Sequence, residues 1–165
     1  MKFCPDCGKP LTTRLINGKE RLACDTDHCQ FVHWNNPVPV VAALVNYTGR
    51  YVIARNTQWP QGIFSVITGF LEQKESPQKA IVREVAEELG LVASIKNFIG
   101  VYSFHEQNQI ILCYEVEATG ELVINHELAE VKQLSPQQLS EYDFSPLYIT
   151  RKIIRDWEKI QALTT

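Results

Sequence analysis

The sequence predicts an α/β domain preceded by a small metal-binding module. Four of the five cysteines lie within the first 29 of the 165 residues. Behind them, β-branched runs alternate with segments of helical periodicity, a mixture that indicates an α/β or α+β domain. The polar, proline-containing stretch 35–37 marks a boundary. Residues 1–34 are therefore assigned to the module and residues 35–165 to the larger domain.

The clustered cysteines are spaced as two chelating pairs. Cys4 and Cys7 are separated by two residues, and Cys24 and Cys29 by four. Such pairs are typical of a structural Zn²⁺ site with four thiolate ligands, which leaves no open position for catalysis. His28 in place of Cys29 is an alternative fourth ligand, and the cysteines could instead form two disulfides or stay free thiols. The pattern resembles a zinc ribbon.

The strands are predicted from β-branched runs and the turns between them. Residues 38–46 and 51–55 flank a turn at 47–50 and indicate a hairpin. Cys113 lies in another apolar run, so we expect a buried, protonated thiol there and not a nucleophile. Further strands are expected at residues 63–67, 94–103, 109–117 and 131–134.

Three helices begin at Ser-Pro pairs, in which serine can cap the helix and proline suits its first turn. The first extends from Pro77 to Leu89 and ends before Gly90. Two more are expected to open at Ser135-Pro136 and at Ser145-Pro146. The last one extends to about residue 163, with Ile153, Trp157 and Ile160 on one face.

Charge and hydropathy exclude several classes of protein. The chain carries 16 Lys and Arg against 19 Asp and Glu, a net charge of −3. Bulk positive charge is therefore not available for nucleic-acid binding, and we do not expect a nucleic-acid partner. The N-terminus lacks the apolar run of a signal peptide, and the longest apolar stretch, residues 38–45, is too short to span a bilayer. We expect a cytoplasmic protein with no membrane partner.

The first predicted helix carries an acidic cluster. At 100° per residue, Glu84, Glu87 and Glu88 lie within about 100° of arc, beside an apolar stripe. Like charges at i,i+4 destabilise a helix, and carboxylates near its C-terminus oppose the macrodipole. We therefore expect a cation here and not a solvated acidic face. Oxygen ligands without His or Cys favour Mg²⁺ or Mn²⁺.

The stretch from Gly69 to Leu91 reads G-x5-E-x7-R-E-V-x-E-E-L-G-L. It resembles the Nudix box at every specified position. The resemblance implies an α/β/α sandwich around a mixed sheet. It also implies hydrolysis of a nucleoside diphosphate linked to another group, with metal ions that bind the diphosphate and activate a water.

The resemblance also implies roles for particular side chains. Glu84, Glu87 and Glu88 would be metal ligands, one of them also serving as base. Arg83 and Glu75 would orient these glutamates, and the carbonyl of Thr68 is a candidate backbone ligand. In the segment 125–130, Glu127 is the candidate for a further ligand or base, with Glu130 as the alternative and a solvated loop charge as the other interpretation.

The substrate class is narrowed by resemblance to a subgroup. A zinc ribbon before a Nudix domain resembles NADH pyrophosphatases, but residues 102–109 contain neither the Pro nor the Trp of their SQPWPFPxS motif. Residues 31–37 are similar to shorter proteins labelled ADP-ribose, NADH or FAD pyrophosphatases. We expect a small-molecule nucleotide substrate. Candidates for base or phosphate contacts are Trp34, Trp59, Phe64, Phe104, His105 and Arg55.

A second class of function stays open from the sequence alone. The zinc ribbon would then bind RNA or protein, and the domain behind it would be weakly active or inactive. The intact acidic cluster argues against this interpretation. A homodimer is an open alternative to a monomer, because related enzymes pair and no residue here decides it.

Overall fold

The computed structural model describes residues 1–164, with side chains up to residue 163. The chain divides into two compact units, Met1–Pro37 and the remainder from Val38 onward. No helix within the described residues is long and apolar enough to cross a membrane. Each unit has its own sheet.

The first unit is a three-stranded antiparallel sheet in the order β1-β2-β3. Cys4 precedes β1, Cys24 is the last residue of β2, and Cys29 lies before β3. The segments before β1 and after β2, which meet at the open end of this hairpin, therefore carry the cysteines. The strands are β1 (Leu11–Ile16), β2 (Lys19–Cys24) and β3 (Val32–His33).

The second unit is built on a six-stranded mixed sheet. Its order is β7-β8-β4-β5-β9, and β6 pairs with the first half of β4. The β4–β8 pair is parallel and the others are antiparallel. The elements are β4 (Val38–Tyr47), β5 (Arg50–Asn56), β6 (Ile67–Phe70), α1 (Pro77–Leu89), β7 (Val92–Phe104), β8 (Gln109–Thr119), β9 (Leu128–Leu134), α2 (Pro136–Glu141) and α3 (Tyr148–Thr164).

The central strand β4 is buried on both faces, which explains its nearly continuous apolar sequence. Val41, Ala43 and Val45 pack with α1 in one core. Val40 and Leu44 pack with α2 and α3 in the other. This places helices on both faces of a mixed sheet, and so the predicted α/β/α sandwich is confirmed.

Most predicted elements are confirmed, including the hairpin β4–β5 and the bounds of α1. The strand predicted at 63–67 is wrong, because Ser65 makes only an isolated bridge, to Ala54, and Ile67 is the one residue of that stretch that belongs to a strand. The strand there is β6, which starts at Ile67 and pairs with β4. The helix predicted to open at Ser145-Pro146 begins at Tyr148 instead, because the Leu147 N–H donates to the Phe144 carbonyl in a turn.

Candidate active site and zinc centre

The four predicted zinc ligands lie together in the first unit. The sulfurs of Cys4, Cys7, Cys24 and Cys29 all lie within 4.8 Å of one another. The Cys4–Cys29 and Cys7–Cys24 sulfur pairs are 3.5 and 3.4 Å apart. Tetrahedral Zn²⁺ with Zn–S bonds of about 2.3 Å requires sulfurs roughly 3.8 Å apart, so the quartet fits this ion.

The backbone around the cysteines forms two knuckles. The Gly8 N–H donates to the Cys4 carbonyl at 2.9 Å, and Gly8 has a φ of 71°, which glycine adopts readily. In the second knuckle the Cys29 N–H donates to the Thr26 carbonyl at 2.9 Å. His28, the alternative ligand, is exposed and is not part of the metal-binding cluster found among residues 1–164.

Thr26 lies between two of these sulfurs, a position that the cysteine spacing does not reveal. Its Oγ1 is 3.3 Å from Cys24 Sγ and 3.9 Å from Cys7 Sγ. Hydrogen bonding with Thr26 lowers the pKa of Cys24 to about 6. A hydroxyl two residues after a zinc-ligand cysteine is the sequence signal that could have identified it.

In the second unit, α1 forms from strong local signals. Ser76 accepts the Lys79 N–H at its N-terminus, Pro77 occupies its first position, and the left-handed Gly90 (φ 68°) ends it by donating to Ala86. The apolar stripe of α1 is buried against the sheet. The glutamates are consequently presented beside this stripe, at the C-terminal half of the helix.

Arg83 is the centre of a hydrogen-bonded cluster. Its Nε and Nη2 donate to Glu75 at 3.1 and 3.0 Å. Its Nη1 donates to Glu84 at 2.8 Å and to Glu87 at 2.9 Å, and its Nη2 also donates to the Phe70 carbonyl at 3.2 Å. These bonds lower the pKa of Glu75 and raise that of Arg83. Arg83 therefore ties α1 to the end of β6 and orients three carboxylates.

Glu88 is buried among negative charges. It is 7% exposed, and burial, followed by the charges of Glu84, Glu127 and Glu87, raises its pKa to about 8. Burial also raises the pKa of Glu84, despite the contact with Arg83. Glu84 is paired with Arg83, whereas Glu88 takes part in none of the ion pairs found among the described residues. The donor set, carboxylate oxygen throughout, fits Mg²⁺ or Mn²⁺.

Gly69 makes room for one of these carboxylates. A Cβ atom at this position would lie 1.9 Å from Glu84 Cδ and 2.0 Å from Glu84 Oε1. The first glycine of the motif is therefore needed for space, and not for a left-handed backbone. Thr68, the candidate backbone ligand, precedes it in β6 opposite Ala42.

The two acids predicted outside the helix have different surroundings. Glu127 lies close enough to Glu84 and Glu88 to raise the pKa of both. Glu130 instead forms an ion pair with Arg55 at 3.7 Å, opposite it on the neighbouring strand. The structure thus brings Glu127, and not Glu130, to the carboxylate cluster, although the role of Glu127 stays a prediction.

The aromatic candidates are not equally available. Phe64 is 2% exposed within the core, so its ring cannot stack on a ligand. Phe104 is partly buried at the end of β7, with its ring 6.2 Å from Tyr148 in an edge-on arrangement. Trp59 is also partly buried, and Trp34, in the first unit, is exposed.

The remaining candidates lie outside the carboxylate cluster or in the core. Arg55 is engaged with Glu130 and donates to the Trp59 carbonyl at 3.3 Å. His105 is exposed in a short 3₁₀ turn after β7. Cys113 is fully buried, and burial raises the pKa of its thiol, as expected for a structural cysteine.

The fold and the carboxylate-bearing helix define the Nudix fold class, and family models agree. The NUDIX domain model matches residues 35–155, and the zinc-ribbon model described as Nudix N-terminal matches residues 2–35. The chain belongs to the Nudix family and carries its N-terminal zinc ribbon.

Curated relatives are similar over most of this chain. NAD-capped RNA hydrolase NudC of Pseudomonas entomophila is 27% identical over 155 residues, covering 93% of this chain and 53% of that protein. The mitochondrial NAD(P)H pyrophosphatase NUDT13 of Homo sapiens is 30% identical over 133 residues, covering 79% of this chain and 37% of that protein. The chain thus spans about half the length, or less, of these relatives.

Solved structures share the fold. A NUDIX hydrolase from Nitrosomonas europaea has a TM-score of 0.78 at 22% identity, covering 93% of this chain and 88% of that one. The E. coli ORF135 protein has a TM-score of 0.64 at 26% identity, covering 78% and 93%. The first match extends over nearly all of this chain, so the likeness in fold includes more than the hydrolase domain.

Proposed function

We propose that the chain is a Mg²⁺- or Mn²⁺-dependent hydrolase that cleaves the diphosphate bond of a nucleoside diphosphate derivative and releases a nucleoside monophosphate. The observation that carries this proposal is the Glu88 carboxylate, which is buried with a pKa raised to about 8 beside Glu84 and Glu127. Burying a carboxylate among like charges is costly unless a cation compensates it. A divalent cation is the ligand whose charge matches this cluster.

In this proposal each side chain has a defined task. Glu84, Glu87 and Glu88 would hold the metal, and the Thr68 carbonyl is a further candidate ligand. A bound Mg²⁺ neutralises diphosphate charge and lowers the pKa of a coordinated water. Arg83, held by Glu75, keeps Glu84 and Glu87 in place through its Nη1 bonds. Glu127 either completes the ligand set or accepts the proton of the attacking water.

The zinc module has a structural task in the same proposal. Residues 1–34 form the zinc ribbon, and residues 35–165 form the hydrolase domain. The four cysteine sulfurs would fill all four positions of a tetrahedral ion, which would leave none for a substrate.

The proposed substrates are NAD(H), ADP-ribose and FAD. The names of the relatives support nicotinamide dinucleotides and include an RNA capped with NAD. Two of the predicted aromatic side chains in the second unit remain candidates for stacking a base. They are Phe104, partly buried beside Tyr148, and Trp59. NAD-capped RNA therefore belongs in the substrate panel beside the small molecules.

The test is a substrate panel with and without Mg²⁺, in which released AMP or phosphate is quantified. NADH, NAD⁺, ADP-ribose, FAD, diadenosine polyphosphates, nucleoside triphosphates and NAD-capped RNA are compared. Glu88→Gln should lower kcat by at least about 100-fold, because it removes one charge from the metal site. Glu141→Gln, at an exposed position of α2, is the matched control and should keep full activity.

Two results would contradict the proposal. Glu88→Gln with wild-type turnover would remove the metal assignment. Tight, steeply salt-dependent RNA binding in the absence of Mg²⁺, without turnover of any compound in the panel, would favour a zinc-ribbon binding module instead.

A further inference from the structure

The segment that follows β8 is hydrogen-bonded to the C-terminus of α1. The Val123 N–H donates to the Leu89 carbonyl at 2.9 Å, and the Asn125 N–H donates to the Glu88 carbonyl at 3.1 Å. Carbonyls in the last turn of a helix lack intrahelical partners, so this segment satisfies two of them. The main chain of Asn125 is thereby held against the residue that carries the buried carboxylate.

Asn125 in turn holds the main chain of Glu127. Its side-chain Oδ1 accepts the Glu127 N–H at 2.9 Å. On the other side, the Glu127 carbonyl accepts the Thr57 N–H at 2.8 Å, which ties it to the end of β5. Glu127 is an exposed loop residue whose N–H and carbonyl are therefore both hydrogen-bonded. The bond to its N–H depends on the Asn125 side chain.

We propose that Asn125 is a positioning residue, whose side-chain oxygen holds Glu127 so that the Glu127 carboxylate joins Glu84 and Glu88 in one cation-binding cluster. The same residue contacts the helix end through its backbone and the loop acid through its side chain. It thereby sets the position of Glu127 relative to α1. This inference rests on the proposed function, in which Glu127 acts with the glutamates of α1.

If Asn125 positions Glu127 in this way, cation binding depends on an acceptor oxygen at position 125. Asn125→Ala removes the acceptor for the Glu127 N–H, whereas Asn125→Asp keeps an acceptor oxygen at the same position. The added charge of aspartate does not oppose cation binding. Asp143→Ala is the matched control, because Asp143 Oδ1 accepts the Ser145 N–H at 3.0 Å with the same two-residue spacing, in the loop between α2 and α3.

The first measurement is binding of Mn²⁺ alone, followed by electron paramagnetic resonance without substrate. Asn125→Ala is expected to weaken Mn²⁺ binding by about 10-fold, the range typical of residues that orient metal ligands. Asn125→Asp restores it, and Asp143→Ala leaves it unchanged. Unaltered Mn²⁺ binding in Asn125→Ala overturns the inference, and so does an equal loss in Asn125→Asp with an unchanged thermal midpoint.

The second measurement is a double-mutant cycle with Glu127→Gln. If Asn125 acts through Glu127, adding Asn125→Ala to Glu127→Gln causes no further loss of Mn²⁺ binding or of kcat. Additive losses overturn the inference. Failure of the proposed function gives a different result, namely no turnover of the panel by the wild type, while the Mn²⁺ cycle still reports on Asn125.

Discussion

Replacing Gly69 with alanine inserts a Cβ atom into the volume that the Glu84 carboxylate occupies. The new atom would lie 1.9 Å from Glu84 Cδ, whereas ordinary van der Waals contact begins near 3.4 Å. The carboxylate must therefore retreat by about 1.5 Å, the difference between these two distances. That movement breaks the 2.8 Å bond to Arg83 and displaces a proposed metal ligand.

The expected consequence is a large loss of activity with a small loss of stability. A catalytic group misplaced by about 1 Å can cost on the order of 100-fold in rate. Stability should change by less than about 1 kcal/mol, because the clash is with the end of a flexible side chain. Loss of the conformational entropy of glycine in the unfolded chain further offsets the clash.

The assay measures kcat on the preferred substrate, Mn²⁺ binding, and the thermal unfolding midpoint. Gly100→Ala is the matched control, since the Cβ it adds in β7 would lie 3.1 Å from Tyr102 Oη and requires only a small adjustment. It should keep wild-type kcat. Wild-type kcat and Mn²⁺ binding in Gly69→Ala would refute the reasoning, because Glu84 would then not be needed where the structure places it.

Two further predictions concern protonation and zinc. Without divalent cations, the folded protein should lose stability as pH rises from about 4.5 to about 8, because the raised pKa of Glu88 makes the folded state bind the extra proton. Glu88→Gln should then be more stable than wild type at pH 8 by on the order of 2 kcal/mol in chemical denaturation. Glu87→Gln is the control and should be nearly unchanged in stability, since Glu87 is exposed. A wild type that gains stability over this pH range would contradict the assignment. Thr26→Val should weaken Zn²⁺ binding by about 10-fold in competition with a chromophoric chelator, because the Thr26 hydroxyl is 3.3 Å from Cys24 Sγ. Thr26→Ser should restore binding, and equal affinities in all three proteins would exclude the role.

Local signals account for the parts of the fold that were predicted correctly. The bounds of α1 depend on Ser76, Pro77 and Gly90, all of which act within one or two turns of the helix. The cysteine pairs likewise depend on short chelating loops. The strand predicted at 63–67 was wrong for a non-local reason. The apolar residues of this stretch fill the two cores, while pairing with β4 begins only at Ile67.

The sequence by itself determined which residues are predicted to carry the chemistry of this protein. Thiolate and carboxylate ligands must be close together on a turn or on one helix face, so their spacing is visible in the chain. Only the tertiary structure decided that Glu127 approaches the cluster while Glu130 pairs with Arg55. It also decided that Phe64 is buried and that Asn125 and Thr57 hold Glu127. These facts depend on the register of β5 with β9 and on the packing of a loop against α1. Contacts between residues so distant in sequence have no local periodicity to reveal them.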